Sequence, residues 1–183
     1  MSKTFRVVFS GMIAALCIVL LLCTGFFPFA TVALPAVAGV LMVPIVVELG
    51  VKWACLVYAA TAAVSFFITP EPSAMLLYIF FFGYYPVVKA LIERLHKSML
   101  EWAMKFLLVN AAMVVLFLLA SWLFGLEKVL PEVQNFGKFV YLGIWIGANA
   151  AFLIYDLALT RLIGSYVRWF KPKYVDKLRR SGR

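Results

Sequence analysis

Six long apolar runs, separated by short stretches rich in proline, glycine or charge, constrain this 183-residue chain more than any other feature. A helix of about 20 apolar residues crosses a bilayer core about 30 Å thick. The runs predict spans at about 5–25, 32–49, 51–69, 73–95, 100–124 and 137–166. Because 66% of the residues are hydrophobic and 14% are charged, we expect an all-α integral membrane protein with six transmembrane helices and a single domain over residues 1–183.

The second run is the least regular, since Pro35, Gly39 and Pro44 interrupt it. Proline is tolerated in membrane helices where neighbours satisfy the freed carbonyl groups. The sequence leaves open a kinked full span or a partly re-entrant one. The first run follows Lys3 and Arg6 but lacks a small-x-small cleavage site followed by polar sequence, so we expect a retained helix.

Basic residues fall almost entirely on one side of this topology. With a cytoplasmic amino terminus, 15 of the 17 Lys and Arg residues lie inside, and only Lys128 and Lys138 lie outside. Cytoplasmic loops carry such an excess of positive charge, so both termini are expected in the cytoplasm. The net charge of +9 needs no nucleic acid, because the basic tail at 167–183 is expected to lie against anionic lipid headgroups.

Catalytic and metal-binding patterns are missing from the sequence. There is one histidine, His96, and the cysteines Cys17, Cys23 and Cys55 lack CxxC spacing. No Walker A, GxSxG or HExxH motif is present. We therefore predict a protein that is not an enzyme and has no metal site or cofactor.

The sequence does contain patterns typical of close contacts between membrane helices. In the stretch FSGMIAAL the pairs Ser10/Ala14 and Gly11/Ala15 are each spaced four residues apart, which makes one side of the first helix nearly flat. Flat faces let helices approach closely in lipid, where packing drives association. A second such pair occurs in the stretch GIWIG of the sixth run. Either face serves internal packing or a partner.

The layout resembles the S component of an energy-coupling factor (ECF) transporter. The shared features are the length, six helices with both ends inside, a basic start running into a small-residue face, and no ATPase motif. The stretch SGMIAAL resembles the family's alanine-type contact face at Ser10, Gly11, Ala14 and Ala15, with serine and glycine replacing two alanines. The resemblance implies an S-component-like bundle in the bacterial cytoplasmic membrane.

The same resemblance implies partners and a ligand. The small-residue face would dock on a transmembrane coupling protein that carries two cytoplasmic ABC ATPases. The chain itself would bind a vitamin-like small molecule from outside, for uptake into the cell. Recognition would then lie in the outer halves of the later helices and in the outer loops.

Polar residues in the sixth run predict an inward face. At about 100° per residue, Trp145, Asn149 and Asp156 lie on one side together with Lys138 and Thr160. An amide or acid facing lipid costs a few kcal/mol, so this side is expected to face the bundle or a cavity. The helical rise places Asn149 near the midplane and Asp156 near the inner interface.

An ion pair is expected to satisfy Asp156. Lys89 and Arg94 lie at the same membrane level, near the inner end of the fourth helix, and either is a possible partner. Arg161 is about 140° away round its own helix. We interpret Arg161 as a snorkelling residue that marks the end of the span.

Ligand binding is predicted for aromatic, amide and acidic residues in the outer half: Glu71, Tyr78, Trp122, Tyr141, Trp145 and Asn149. Few charges are available outside, which favours a neutral or amphipathic molecule that stacks on aromatic rings. The tryptophans have an alternative role as membrane-interface anchors. Glu71 has an alternative role as a solvated loop charge.

Two rival functions remain open at this stage. The first is a non-transporting scaffold that resembles the small membrane subunit of bacterial shape-determining machinery. The second is a lipid-handling protein, which requires the cytoplasmic-side charges to converge on a phosphate.

Overall fold

A computed structural model of the chain describes residues 3–27, 30–95, 97–124 and 138–168. Within these ranges the chain is helical and contains no strand. Among the described residues, five helices are long and apolar enough to cross a membrane, and another apolar helix, Ala33–Leu49, is slightly shorter. The protein is therefore an all-helical, multi-pass membrane protein, and the prediction is confirmed at that level. His96 and the basic tail from residue 169 onward lie outside the described residues.

The helices follow the predicted runs closely, and each boundary lies within one helical turn of the expected position. The fourth span, Pro72–Leu95, is divided into α4, a π-helical turn, α5 and a final 3-10 turn. The bounds are α1 Lys3–Cys23, α2 Ala33–Leu49, α3 Val51–Ile68, α4 Pro72–Leu77, the π turn Tyr78–Phe82, α5 Tyr85–Ile92, the 3-10 turn Glu93–Leu95, α6 Ser98–Phe124 and α7 Lys138–Ser165.

A single residue, Gly50, joins α2 to α3. Its φ of 86° lies in the left-handed region that favours glycine. The Gly50 N–H donates to the Ile45 carbonyl at 3.1 Å, and the Gly50 carbonyl accepts from the Ala54 N–H at 3.1 Å. One residue therefore ends one helix and begins the next, which accounts for the very short connection. Pro44 lies inside α2, and that helix continues through it.

The fourth span is interrupted near its middle. The π turn Tyr78–Phe82 is followed by a turn at Gly83 and Tyr84, and α5 then begins with Pro86 in its first turn. Proline suits a helix start because the N–H it lacks would have no intrahelical acceptor there. The break therefore lies in the residues before Pro86.

Two glycines allow neighbouring helices to approach this interrupted span. A Cβ on Gly39 of α2 would lie 2.4 Å from the Phe82 carbonyl oxygen, and a Cβ on Gly83 would lie 2.8 Å from the Tyr58 ring. The fourth span is also the most buried, since 56% of an apolar 18-residue stretch within it lies inside the protein, against 22% or less for the corresponding stretches of the other four long helices. It is the centre of the bundle.

Two clusters of buried side chains surround this centre, and the fourth span contributes to both. The first cluster joins the span to α1, α2 and α3 through residues that include Cys17, Met42, Val57 and Tyr78. The second cluster joins it to α2, α6 and α7 through Val43, Tyr85, Val109, Phe152 and Leu159. In contrast, residues 142–147 of α7 are exposed all round the helix. This stretch of α7 therefore packs loosely against the rest of the described bundle.

Candidate functional site

An apolar cavity of about 520 Å³ lies between α2, the fourth span, α6 and α7. Its size is within the range of small-molecule sites, about 300–1,000 Å³. Among the described residues that line it, no side chain carries a charge, and Tyr155 supplies the one hydroxyl group. The lining residues are Val32, Ala36, Leu77, Phe81, Phe82, Val109, Ala112, Met113, Leu116, Ile144, Gly147, Ala148, Ala151, Phe152 and Tyr155.

Small residues on facing helices provide the space. Ala112 on α6 and Gly147, Ala148 and Ala151 on α7 line the cavity and present little side-chain volume to it. A Cβ on Gly147 would have no neighbour within 4 Å. Within the described part of the structure the small pair Gly143/Gly147 therefore makes no close helix contact, and Gly147 instead borders open space.

Aromatic rings form one side of the cavity. The Phe82 and Tyr155 ring centroids are 5.0 Å apart in an edge-on arrangement, and the Phe81 and Phe152 centroids are 6.1 Å apart. Phe81 and Phe82 come from the π turn, and Phe152 and Tyr155 come from α7. The irregular turn and the sixth apolar run thus meet at an aromatic wall.

A buried cluster of charges links the fourth span, α6 and α7. Lys89 Nζ lies 2.5 Å from Asp156 Oδ1 and 2.6 Å from Glu93 Oε1. Lys105 Nζ lies 3.0 Å from Asp156 Oδ2 and 3.0 Å from Glu93 Oε1. Lys89 and Asp156 are almost completely buried, whereas the Glu93 side chain is 36% exposed. Two cations alternate with two carboxylates, so these four residues, the charge cluster, carry no net charge.

Hydrogen bonds complete the charge cluster. The Tyr85 hydroxyl donates to Asp156 Oδ1 at 2.6 Å, and Lys89 Nζ donates to Thr160 Oγ1 at 2.9 Å. The Thr160 hydroxyl donates to the Asp156 carbonyl at 2.8 Å. Lys105 Nζ also lies 5.4 Å from the centre of the Trp102 ring. Charges in an apolar interior persist when they are paired and hydrogen-bonded in this way.

Tyr85 connects the charge cluster to the cavity. Its hydroxyl bonds Asp156, while its ring centroid lies 5.4 Å from those of Phe81 and Phe152 and 5.9 Å from that of Tyr155. These three rings line the cavity. The same aromatic wall therefore separates apolar space from buried charge.

The cavity and the charge cluster occupy opposite halves of the bundle. The cavity is lined by residues at the start of α2, by Leu77 and the π turn, and by residues 109–116 of α6 and 144–155 of α7, so it ends one residue before Asp156. The charge cluster uses residues late in the fourth span and in α7, together with Lys105 near the start of α6. We call these the cavity half and the cluster half.

None of the predicted ligand residues Glu71, Tyr78, Trp122, Trp145 and Asn149 is among the described residues that line the cavity, and the side chain of Tyr141 lies outside the described part of the structure. Tyr78 is fully buried, and its hydroxyl lies 2.8 Å from Thr61 Oγ1. Asn149 Nδ2 donates to the Trp145 carbonyl at 2.9 Å, and Asn149 Oδ1 accepts from Asn110 Nδ2 at 3.3 Å. These polar groups are satisfied within the protein.

The remaining predicted ligand residues lie at helix starts or on the exterior. Trp122 is 81% exposed and Trp145 is 39% exposed on membrane-spanning helices. Exposure of this kind suits the alternative role of an interface anchor. Glu71 precedes α4, and its carbonyl accepts from the Met75 N–H at 3.1 Å. Tyr141 lies in the first turn of α7.

Asp156 pairs with Lys89, one of the two cations expected for it. Arg94, the other expected partner, lines a smaller cavity of about 290 Å³ together with Glu93. The sequence pattern does not assign Lys105 to this site, although a lysine inside the fifth apolar run was an available signal. Arg161 is exposed, as a snorkelling side chain would be.

The small-residue face of α1 is divided between interior and exterior. Ser10 is buried, and Ala14 packs against the first core cluster. Gly11 and Ala15 are exposed, and a Cβ on Gly11 would meet nothing within 4 Å. A partner that uses this helix would therefore contact Gly11 and Ala15 rather than all four residues.

Comparison with protein-family models, curated proteins and solved structures found no match to this chain. Among the described residues, no group of three or more His, Cys, Asp or Glu side chains is placed to hold a metal ion. Function is therefore best approached from the cavity, the charge cluster and the exposed face of α1.

Proposed function

We propose that this protein is the substrate-binding membrane subunit of an ECF-type transporter. It would capture a vitamin-like small molecule from outside for ATP-driven uptake by a partner module. The observation that carries the proposal is the partly open cavity of about 520 Å³ between α2, the fourth span, α6 and α7. A ligand-sized cavity inside a membrane bundle favours binding over a purely scaffolding role.

The two halves of the bundle fit this role. With both termini in the cytoplasm, the cavity half faces the outside and the cluster half faces the cytoplasm. A ligand captured from outside would meet apolar space first, and the paired charges behind Tyr85 would close the way to the cytoplasm. This arrangement suits a protein that holds its ligand and depends on partners for release.

The exterior of α1 supplies a surface for those partners. Gly11 and Ala15 lie on the same exposed face as Val8, which is 65% exposed. A helix of the coupling protein would approach closely at the two small residues. This exposed pair of small residues is consistent with the resemblance of α1 to the contact face of S components.

The lipid-handling alternative receives less support from the charge cluster. That function requires cations that converge on a phosphate. Lys89 and Lys105 instead converge on the carboxylates of Asp156 and Glu93 at 2.5–3.0 Å. Binding a phosphate at these lysines would require both ion pairs to break.

Co-expression with an ECF coupling protein and its two ATPases tests the partner side of the proposal. Affinity purification of the tagged chain should recover all three, and Gly11→Leu should reduce recovery because a bulky residue replaces the small contact. Val19→Leu is the matched control, at an exposed position near the other end of α1. Failure of the wild-type chain to recover the module, or equal recovery by Gly11→Leu, would contradict this assignment.

Native mass spectrometry tests the ligand side. The purified chain should carry a bound small molecule that is released on unfolding. A scaffold would carry none.

A further inference from the structure

Building on the proposed function, we infer that the cavity takes an uncharged, largely hydrocarbon molecule with a flat ring, and that this molecule reaches the cavity from the bilayer past Gly147 of α7.

The lining defines the charge of the ligand. The described lining side chains are aliphatic or aromatic apart from the thioether of Met113 and the hydroxyl of Tyr155. The Tyr155 hydroxyl already lies 3.4 Å from the Ala36 carbonyl oxygen and can offer one weak hydrogen bond. A charged group in this space would lose its water and gain no counter-ion. The ligand therefore carries no charge and at most one well-placed polar group.

Nearby polar groups do not alter this conclusion. Asn110 donates to the Phe106 carbonyl at 2.8 Å and to Asn149, and Asn149 donates to the Trp145 carbonyl. In the charge cluster, both oxygens of Asp156 accept from lysines behind the ring of Tyr85. These groups are engaged by protein partners, so a charged ligand would have to displace an existing contact.

The aromatic wall favours a ring over a flexible chain. Phe81, Phe82, Phe152 and Tyr155 lie with ring centroids 5.0–6.3 Å apart on one side of the cavity. Aromatic rings interact best with other rings in offset or edge-on geometry. A flat ring system gains these contacts without the conformational entropy that a long chain loses.

The route is indicated by the helix that borders the cavity. Residues 142–147 of α7 are exposed, and a Cβ on Gly147 would meet no atom of the described residues within 4 Å. Gly147 is exposed at the surface and lines the cavity as well. The exterior of a membrane-spanning helix faces lipid, so an apolar molecule dissolved in the bilayer has a short path inward.

Photolabelling of the full chain in phosphatidylethanolamine and phosphatidylglycerol vesicles tests the inference. The neutral probe is phenyl-trifluoromethyl-diazirine, and the charged probe is its para-carboxylate. Mass spectrometry of peptides locates the label, and excess trifluoromethylbenzene separates saturable labelling from general labelling by lipid-dissolved probe. We expect saturable labelling of cavity residues such as Met113 and Tyr155 by the neutral probe only.

Two variants and a matched control tie the label to this cavity. Gly147→Leu places a side chain at its border, and Ala112→Leu fills it from α6. Each should lower saturable labelling by about tenfold. Gly143→Leu adds the same side chain one turn away, at a position that does not line the cavity, and should keep labelling within about twofold. Unchanged helical content by circular dichroism shows that the variants remain folded.

The outcomes separate this inference from the proposed function. Saturable labelling of the lining by the carboxylate, or by neither probe, overturns the inference. Loss of labelling in Gly143→Leu to the same extent as in Gly147→Leu overturns the route past Gly147. The transporter assignment is tested independently by recovery of the coupling protein and ATPases, so either proposal can fail alone.

Discussion

The cavity and the charge cluster are neighbours on opposite sides of one aromatic wall. They differ in how fully their buried groups are contacted by other protein groups. The apolar surface that lines the cavity has no protein group packed against it, and only van der Waals contacts are lost as a result. The charge cluster leaves almost nothing unpartnered, because each lysine contacts two carboxylates. The comparison teaches that side-chain changes at the cavity should alter binding more than stability, and changes at the cluster should do the reverse.

The largest effect is expected where the pairing of the charge cluster is broken. Asp156→Asn removes the carboxylate that both Lys89 and Lys105 contact, which leaves two buried cations with one carboxylate. Loss of one partner from a buried ion pair costs about 3–5 kcal/mol. Denaturant unfolding in detergent measures this loss. Arg161→Gln, at an exposed position on the same helix, is the control and should change little.

A double replacement sharpens the same comparison. Lys89→Met with Asp156→Leu converts one ion pair into an apolar contact, and Lys105 keeps Glu93 as its partner. Buried pairs replaced by apolar residues are often neutral in stability. We expect the double variant to recover about 1–3 kcal/mol relative to the sum of the single variants. Simple additivity in the unfolding cycle would show that the two residues do not act as a pair.

A methyl group tests the packed interior next to the cavity. Gly39→Ala would place a Cβ 2.4 Å from the Phe82 carbonyl oxygen and 2.7 Å from the Tyr155 hydroxyl. Because backbone must shift, we expect a loss of about 1–3 kcal/mol in the free energy of unfolding. Wild-type stability in this variant would mean that α2 does not approach the π turn so closely.

The smallest effect is expected at the cavity border. Gly147→Ala adds the same methyl group where nothing lies within 4 Å. Alanine is better than glycine in a helix interior by about 0.5–1 kcal/mol, so stability should rise slightly. The difference in unfolding free energy between Gly39→Ala and Gly147→Ala directly compares a tightly packed position with one that borders open space. Equal effects of the two substitutions would remove the distinction.

Several features of the fold followed from the sequence alone. Helix positions could be predicted because span length and proline, glycine and charge punctuation are local properties. The pairing of Asp156 with a lysine of the fourth span was accessible because buried charge needs a partner and membrane depth limits the choice. The aromatic and amide residues of the outer half were a weaker guide to a ligand site. The side chain of Asn149, for example, has hydrogen-bond partners in Asn110 and a backbone carbonyl.

Other features required the tertiary structure. Ser10 and Gly11 are adjacent in a small-residue face, yet one is buried and the other exposed. Lys105 joins the charge cluster only because α6 packs so that this position faces α7. The cavity arises where small residues of separate helices face each other across aromatic rings. None of these relations is visible within one apolar run.

The class of protein, the positions of its helices and the need to pair its buried acid follow from local properties of the chain. Which side of each helix faces a neighbour and which faces lipid depends on how the helices pack, because both environments are apolar. In water a buried helix face is marked by hydrophobic contrast, whereas in a bilayer that contrast is lost and side-chain shape selects the contacts.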